Sequence, residues 1–320
     1  MKGKKFPAFG GVFLYPEVTV LEAFHLKEPV FTGSCTAIIT PFSDDGIDFE
    51  RMKKLLDHQR ENGTKAIVLA GTTGENATLD IREYEELVDL CIQHAAGGMK
   101  IIVGVGGNDT ARCLSKARFA AAAGADAVLM TPPYYNKTSQ RGLVRHFMAV
   151  ADASEVPLIL YNVPGRTVLG ITAESYLRLS AHPNINGVKE ASGDISLAAR
   201  IAAECGDSLN LWSGNDDQTI PMMAIGAKGV ISVVSNVLPG VVAELCGLCL
   251  AGDFEGAREL YSKYAEFYRL LFVEVNPIPI KAAMALAGLD NGYLRPPLVE
   301  ISPENLEKLR KSMETLGCIA

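Results

Sequence analysis

The chain of 320 residues carries 30 Lys and Arg against 37 Asp and Glu, a formal net charge of −7, and 48% of it is hydrophobic against 21% charged. That length suits one large α/β domain or two small ones around a substantial core, and the composition is that of a soluble globular protein. A mildly acidic chain lacks the basic field that nucleic acid or an anionic membrane surface demands, and no apolar run reaches the ~18 residues that cross a bilayer, so neither is expected as a partner.

The N-terminus, MKGKKFPAFGGVFLYPEVTV, is basic and partly apolar, but Pro7, the Gly10–Gly11 pair, Pro16 and Glu17 interrupt any signal-peptide core. Residues 1–30 therefore read as an extension of unknown role. From residue 34 a repeat sets in, in which a short apolar run is followed by a polar turn and a helical period. There are eight such runs: CTAIIT (35–40), KAIVLA (65–70), KIIVGV (100–105), DAVLMT (126–131), PLILYN (157–162), INGVKE (185–190), LNLWSG (209–214) and KGVISV (228–233). Helical stretches such as FERMKKLLDHQRENG, REYEELVDLCIQHAA, TARCLSKARFAAAAG and SQRGLVRHFMAVADA lie between them. Several of these open on Asp, Ser or Thr and close at Gly. The apolar runs are continuous rather than alternating, as in parallel strands covered on both faces. Eight β-then-α units within roughly 200 residues predict a closed (β/α)₈ TIM barrel rather than an open doubly wound sheet. From about residue 237 to 316 the pattern is helical throughout. One helix there closes the barrel and the rest form an appendage. The expected division is an extension at 1–30, the barrel at 31–250 and a C-terminal helical region at 251–320.

The seven cysteines are scattered and mostly in apolar surroundings, which fits reduced thiols in a cytoplasmic protein. Cys246 and Cys249 form a C-x-x-C, but no second pair or His completes a metal site, so they read as core residues one turn apart. The five histidines fall away from the strand ends. GVGGND (104–109) has Asp109 where a dinucleotide fingerprint needs its third Gly, and no P-loop is present. Neither a metal nor a cofactor is expected.

In such barrels the chemistry sits at the C-terminal ends of the strands. The polar residues there are Thr72 and Thr73 after the second run, Tyr135 after the fourth and Tyr161 at the end of the fifth. Arg166 follows shortly, Lys189 ends the sixth run, Gly214 follows the seventh and Ile231 lies in the eighth. A lysine between apolar walls has its charged form disfavoured, and a free amine can attack a carbonyl. The alternative is a Lys189–Glu190 pair whose lysine snorkels to solvent, and alternation alone does not decide which of the two points inward. A phenol such as Tyr161 can shuttle protons to a carbinolamine if hydroxyls relay them onward, and Thr72, Thr73 and Tyr135 supply hydroxyls. Arg166 suits bidentate recognition of a carboxylate, or a surface ion pair.

Seven motifs in order, GTTGENATL (71–79), TPPYYNK (131–137), YNVPGRT (161–167), GVKEASG (187–193), SGND (213–216), GVISV (229–233) and NPIPIK (276–281), resemble the dihydrodipicolinate synthase family, from about Phe31 to the C-terminus. The resemblance implies a lyase in which pyruvate forms an imine with Lys189, becomes an enamine and attacks L-aspartate-4-semialdehyde, at the entry to lysine and diaminopimelate synthesis. It implies Tyr161 as general acid/base, and Thr72 and Tyr135 as proton relay, with Tyr135 donated across a dimer interface. It makes Thr73 and Ile231 contacts to pyruvate, Arg166 the holder of the semialdehyde carboxylate and Gly214 part of the substrate site. It also implies a homotetramer of two tight dimers. N-acetylneuraminate lyase and the 2-keto-3-deoxy-sugar-acid aldolases share the barrel, lysine and tyrosine, and a non-catalytic relative that binds a 2-oxo acid is a third alternative. Arg166 and the YYN at 134–136 favour the synthase. Where lysine-inhibited members carry Ser, His, His and Glu around their effector site, this chain has Asn76, Ile81, Tyr84 and Arg112, while Asn108 and Tyr134 remain. A cation at Arg112 repels a lysine ammonium, so feedback inhibition is expected to be weak or absent.

Overall fold

The structure, a computed structural model, describes residues 26–95 and 97–319. Most of the expected extension, residues 1–25, lies outside the described residues. Eight strands run parallel: β1 (Gly33–Ala37), β2 (Ala66–Leu69), β3 (Lys100–Gly104), β4 (Ala127–Met130), β5 (Leu158–Asn162), β6 (Ile185–Glu190), β7 (Asn210–Ser213) and β8 (Gly229–Ser232). Each pairs with the next, and β1 pairs with both β2 and β8, which closes the barrel and leaves no edge. All eight fall on the expected apolar runs. The first stops at Ala37 rather than continuing to residue 40. Beyond it Ile38 N–H still donates to Val68 O at 3.2 Å, but Ile39 N–H turns to Asn236 Oδ1 at 3.1 Å and the Thr40 hydroxyl donates to Gly74 O at 2.7 Å, so the ladder ends there.

The helices of the outer ring are α1 (Phe49–Glu61), α2 (Ile81–Ala95), α3 (Thr110–Ala123), α4 (Gln140–Ala153), α5 (Ala173–Ser180), α6 (Ile195–Cys205), α7 (Thr219–Ala224) and α8 (Pro239–Leu250). Local chemistry sets their ends. Asp48, Asp109, Ser139, Thr172 and Asp194 accept from first-turn N–H groups, and α3 closes at Gly124 with φ +98°. Helices α9 (Phe254–Leu270), α10 (Ile278–Leu286) and α11 (Pro303–Thr315) follow. Among the described residues no helix is long and apolar enough to cross a membrane.

The continuous apolar runs divide by alternation into two cores. Ile67, Leu69, Val103, Val128, Leu160, Val188 and Leu211 face outward and pack under the helices. Cys35, Ala66, Val68, Ile102, Leu129, Ile159, Tyr161, Trp212 and Ile231 point into the barrel. Each large side chain so buried contributes about 1.5–3 kcal/mol. The barrel floor is closed by Phe31, which stacks on Trp212 with ring centroids 5.0 Å apart and accepts from its indole N–H at 3.2 Å.

Candidate active site

The partners of Glu190 decide between Lys189 and Glu190. Glu190 faces the helix layer, where its carboxylate accepts from Asn162 Nδ2 at 2.9 and 3.1 Å, Tyr176 OH at 2.9 Å and Ser192 N–H at 2.7 Å. Lys189 therefore points into the barrel, and it is 4% exposed rather than snorkelling. The β5–β6 register sets Tyr161 opposite Lys189, and Lys189 Nζ lies 4.4 Å from the centroid of the Tyr161 ring. On its other side Lys189 is in register with Trp212 of β7.

Gly214 leaves space for the lysine stem. A Cβ there would lie 2.6 Å from Ala191 Cβ and 3.1 Å from Lys189 Cγ, closer than the stem tolerates. Nearby, burial raises the Asp216 carboxyl, opposed by bonds from Ser232 Oγ and the N–H groups of Val233 and Val234 and by the charge on Lys189. Burial pushes the Cys35 thiol far up, which removes it as a competing nucleophile in the barrel interior.

Above these groups a cavity of about 760 Å³ opens at the C-terminal ends of the strands, large enough for a small substrate pair. Its walls include Thr72, Leu129, Tyr161, Arg166 and Asn276. Lys189 is not part of the wall, but Tyr161, whose ring it packs against, is. Thr73 is buried, and Ile231 belongs to the barrel interior.

Tyr135 is the residue that a single chain does not bring to the site. It is 95% exposed, with φ +64° in a turn held by Asn136 N–H to Tyr134 O at 2.8 Å and Asn136 Nδ2 to Asn108 O at 2.9 Å. A left-handed non-glycine residue costs on the order of 1 kcal/mol, which the surroundings must offset.

Two residues at the mouth escaped the sequence reading. Asn276 Nδ2 donates to Thr73 Oγ1 at 3.0 Å, and its carbonyl accepts from Arg166 Nη2 at 2.8 Å. One backbone position after the barrel thus holds both candidate substrate ligands. Lys281, fully buried on α10, pairs with Glu75 at 2.5 Å and donates to Tyr293 O at 2.7 Å. Glu75 has φ +53° and directly follows Thr72, Thr73 and Gly74. Both Asn276 and Lys281 lie in NPIPIK, but nothing in the spacing of that motif says that it folds back over the barrel mouth.

At the outer end of the cavity Arg112 and Lys116 line the wall with Asn76 and Ile81. Lys116 donates to Asn76 Oδ1 at 3.0 Å and lies 4.2 Å from the ring centroid of the buried Tyr84, while the Arg112 side chain is 87% exposed.

Residues 30–316 match the model of the dihydrodipicolinate synthetase family. The chain is 46% identical over 291 residues to a 4-hydroxy-tetrahydrodipicolinate synthase of Syntrophotalea carbinolica, covering 91% of this chain and 99% of that one. The crystal structure of dihydrodipicolinate synthase from Aquifex aeolicus superposes with a TM-score of 0.89 at 41% identity, covering 90% of this chain and 99% of that one. The chloride-inhibited dihydrodipicolinate synthase from Acinetobacter baumannii, complexed with pyruvate, gives a TM-score of 0.89 at 38% identity, covering 90% and 100%. With the barrel, the inward lysine and a family match over nearly the whole chain, the protein belongs to the dihydrodipicolinate synthetase family.

Proposed function

We propose that this chain is a Schiff-base lyase that condenses pyruvate with L-aspartate-4-semialdehyde to 4-hydroxy-tetrahydrodipicolinate. The observation that carries this reading is the placement of Lys189, turned into the barrel under Tyr161 and below a cavity that Arg166 lines. The Lys189 amine attacks the pyruvate carbonyl, a C–N bond forms, and water leaves as Tyr161 returns a proton to the carbinolamine oxygen. Loss of a methyl proton gives the enamine, whose carbon attacks the aldehyde. The substrate amine then displaces Lys189 by transimination, which closes the ring and frees the enzyme. Thr73, Ile231 and Gly214 shape the pyruvate end, and Arg166 holds the semialdehyde carboxylate. Thr72 relays protons to Tyr135 of a second copy, so the working form is at least a dimer and, in our reading, a cytoplasmic homotetramer. The pyruvate bound in the Acinetobacter baumannii relative supports the first substrate.

The purified chain should consume pyruvate and aspartate semialdehyde together and leave N-acetylneuraminate intact. Cleavage of N-acetylneuraminate or of a 2-keto-3-deoxy sugar acid without condensation would replace this reading with the aldolase one.

We further propose weak or absent lysine inhibition. Arg112 and Lys116 place two cations on the outer cavity wall, and Tyr84 is buried with its hydroxyl bonded to Gly104 O at 3.2 Å. The condensation rate should hold in millimolar lysine, and half-inhibition below 1 mM would refute this; at about 4 Å a like-charge contact costs ~1 kcal/mol even in water.

A further inference from the structure

On the opposite face from the cavity, Lys27 occupies a site of its own. Its Nζ donates to three main-chain carbonyls, Ser180 O at 2.6 Å, His182 O at 2.8 Å and Ile185 O at 2.8 Å. An ammonium has three protons and no acceptor, so the three carbonyls use its whole donor capacity. A neutral amine, with two protons and a lone pair, would set that lone pair against one of the oxygens. Among the described residues Lys27 forms no ion pair with a carboxylate. Its charge is met instead by oriented carbonyls: Ser180 O at the negative end of α5, where carbonyl groups are left without helical partners, His182 O in the turn and Ile185 O at the start of β6.

The carbonyls are held in place independently of Lys27. Asn184 Nδ2 fastens the turn to Ala151 O, Ser154 O and Val156 O at 2.8 to 3.1 Å, and Asn184 N–H donates to His182 Nδ1. On the other side the Lys27 backbone is pinned as well, its N–H to Asp207 O at 3.1 Å and its carbonyl to Asn210 Nδ2 at 2.9 Å. Asn186 Nδ2 adds a bond to Glu28 O at 2.8 Å. Burial pushes the Lys27 amine down to about 8, so the ammonium still predominates at neutral pH.

We propose that the 180–185 turn is a binding site for a primary ammonium ion, that this chain fills it from within using Lys27, and that the filled site fastens the segment entering the barrel to the turn that launches the Lys189 strand. Lys27 and Glu28, which composition groups with the extension, thereby belong to the barrel floor together with Phe31. The site lies at the far end of β6 from Lys189, so the inference does not depend on the reaction proposed above.

The test uses the full chain and its Lys27→Ala variant, with thermal unfolding followed at equal ionic strength in ammonium, methylammonium, potassium or tetramethylammonium chloride. The wild-type transition should not depend on the cation. In tetramethylammonium, which cannot donate, the variant should melt about 5 °C lower, the scale expected for losing charge-assisted hydrogen bonds. Ammonium or methylammonium should restore at least half of that loss. Recovery by potassium as well would extend the site to compact monovalent cations and still support it. The same loss in all four salts, or no loss, overturns the proposal. Should the variant not fold, acetylation of the wild-type chain followed by mass spectrometry decides. Lys27 should react on the order of 10-fold more slowly than the exposed Lys311, because its amine is free only after local opening, and equal rates would sink the idea.

Discussion

Lys189→Ala should lower kcat/KM on the order of 10⁵-fold, the low end of what a nucleophile held in place contributes. The variant should also lose the covalent adduct that borohydride traps from enzyme and pyruvate. The geometry makes the loss specific. Cys35, another potential nucleophile of the barrel interior, has its thiol pushed far up by burial, and Glu190 faces the helices. Tyr161→Phe keeps the ring over Lys189 but removes the hydroxyl, so turnover should fall about 10²- to 10⁴-fold while trapping slows without vanishing. Tyr135→Phe should lower turnover by about 10²-fold with trapping retained if the residue relays protons from a second copy. Unchanged turnover would remove Tyr135 from the mechanism. An adduct that survives in Lys189→Ala would move the imine to another lysine and overturn the assignment.

Much of this was legible in the residues. The strand count was legible because a parallel strand buried on both faces needs a continuous apolar run, and eight such runs stand between capped helices. The chemical face followed from the barrel. What the sequence left open was orientation. INGVKE reads equally well with Lys189 or Glu190 inward, and only the tertiary partners of Glu190, Asn162 and Tyr176, settle it. The end of β1 was overextended because Ile38, Ile39 and Thr40 are as apolar or β-prone as a strand, yet Ile39 N–H leaves the ladder for the Asn236 side chain and the Thr40 hydroxyl turns to Gly74 O. Asn276 and Lys281 were out of reach for a different reason. Their partners, Thr73 and Glu75, lie about two hundred residues earlier in the chain, and local pattern carries no information on so distant a contact. The same holds for Lys27, whose carbonyl partners leave no mark in the side-chain sequence.

The buried pair between Lys281 and Glu75 ties the C-terminal helical appendage to the loop that carries Thr72 and Thr73, and breaking it should be costly. Arg295 N–H also donates to Glu75 Oε2, at 3.1 Å, and Lys281 Nζ lies 4.4 Å from the centroid of the Phe42 ring, so three segments meet at one carboxylate. Burial lowers the Lys281 amine, opposed by the charge and hydrogen bond of Glu75. Lys281→Met keeps the bulk but leaves Glu75 uncompensated, which should destabilise the fold by about 3–5 kcal/mol. The sign of the pH dependence follows. An unpaired buried carboxyl has its folded pKa raised above the unfolded value, so the folded state holds the extra proton and stability falls as pH rises through that interval. Lys281→Met should therefore lose melting temperature, relative to wild type, as pH rises above the ordinary carboxylate range. The double variant Lys281→Met/Glu75→Gln removes the stranded charge and should recover most of the loss and the pH dependence. Because Glu75 follows Thr72 and Thr73 directly, Lys281→Met should also reduce turnover under conditions where it remains folded, through displacement of the Thr72 hydroxyl. Equal stability of the single and double variants at acidic and neutral pH would show that the pair carries no coupling.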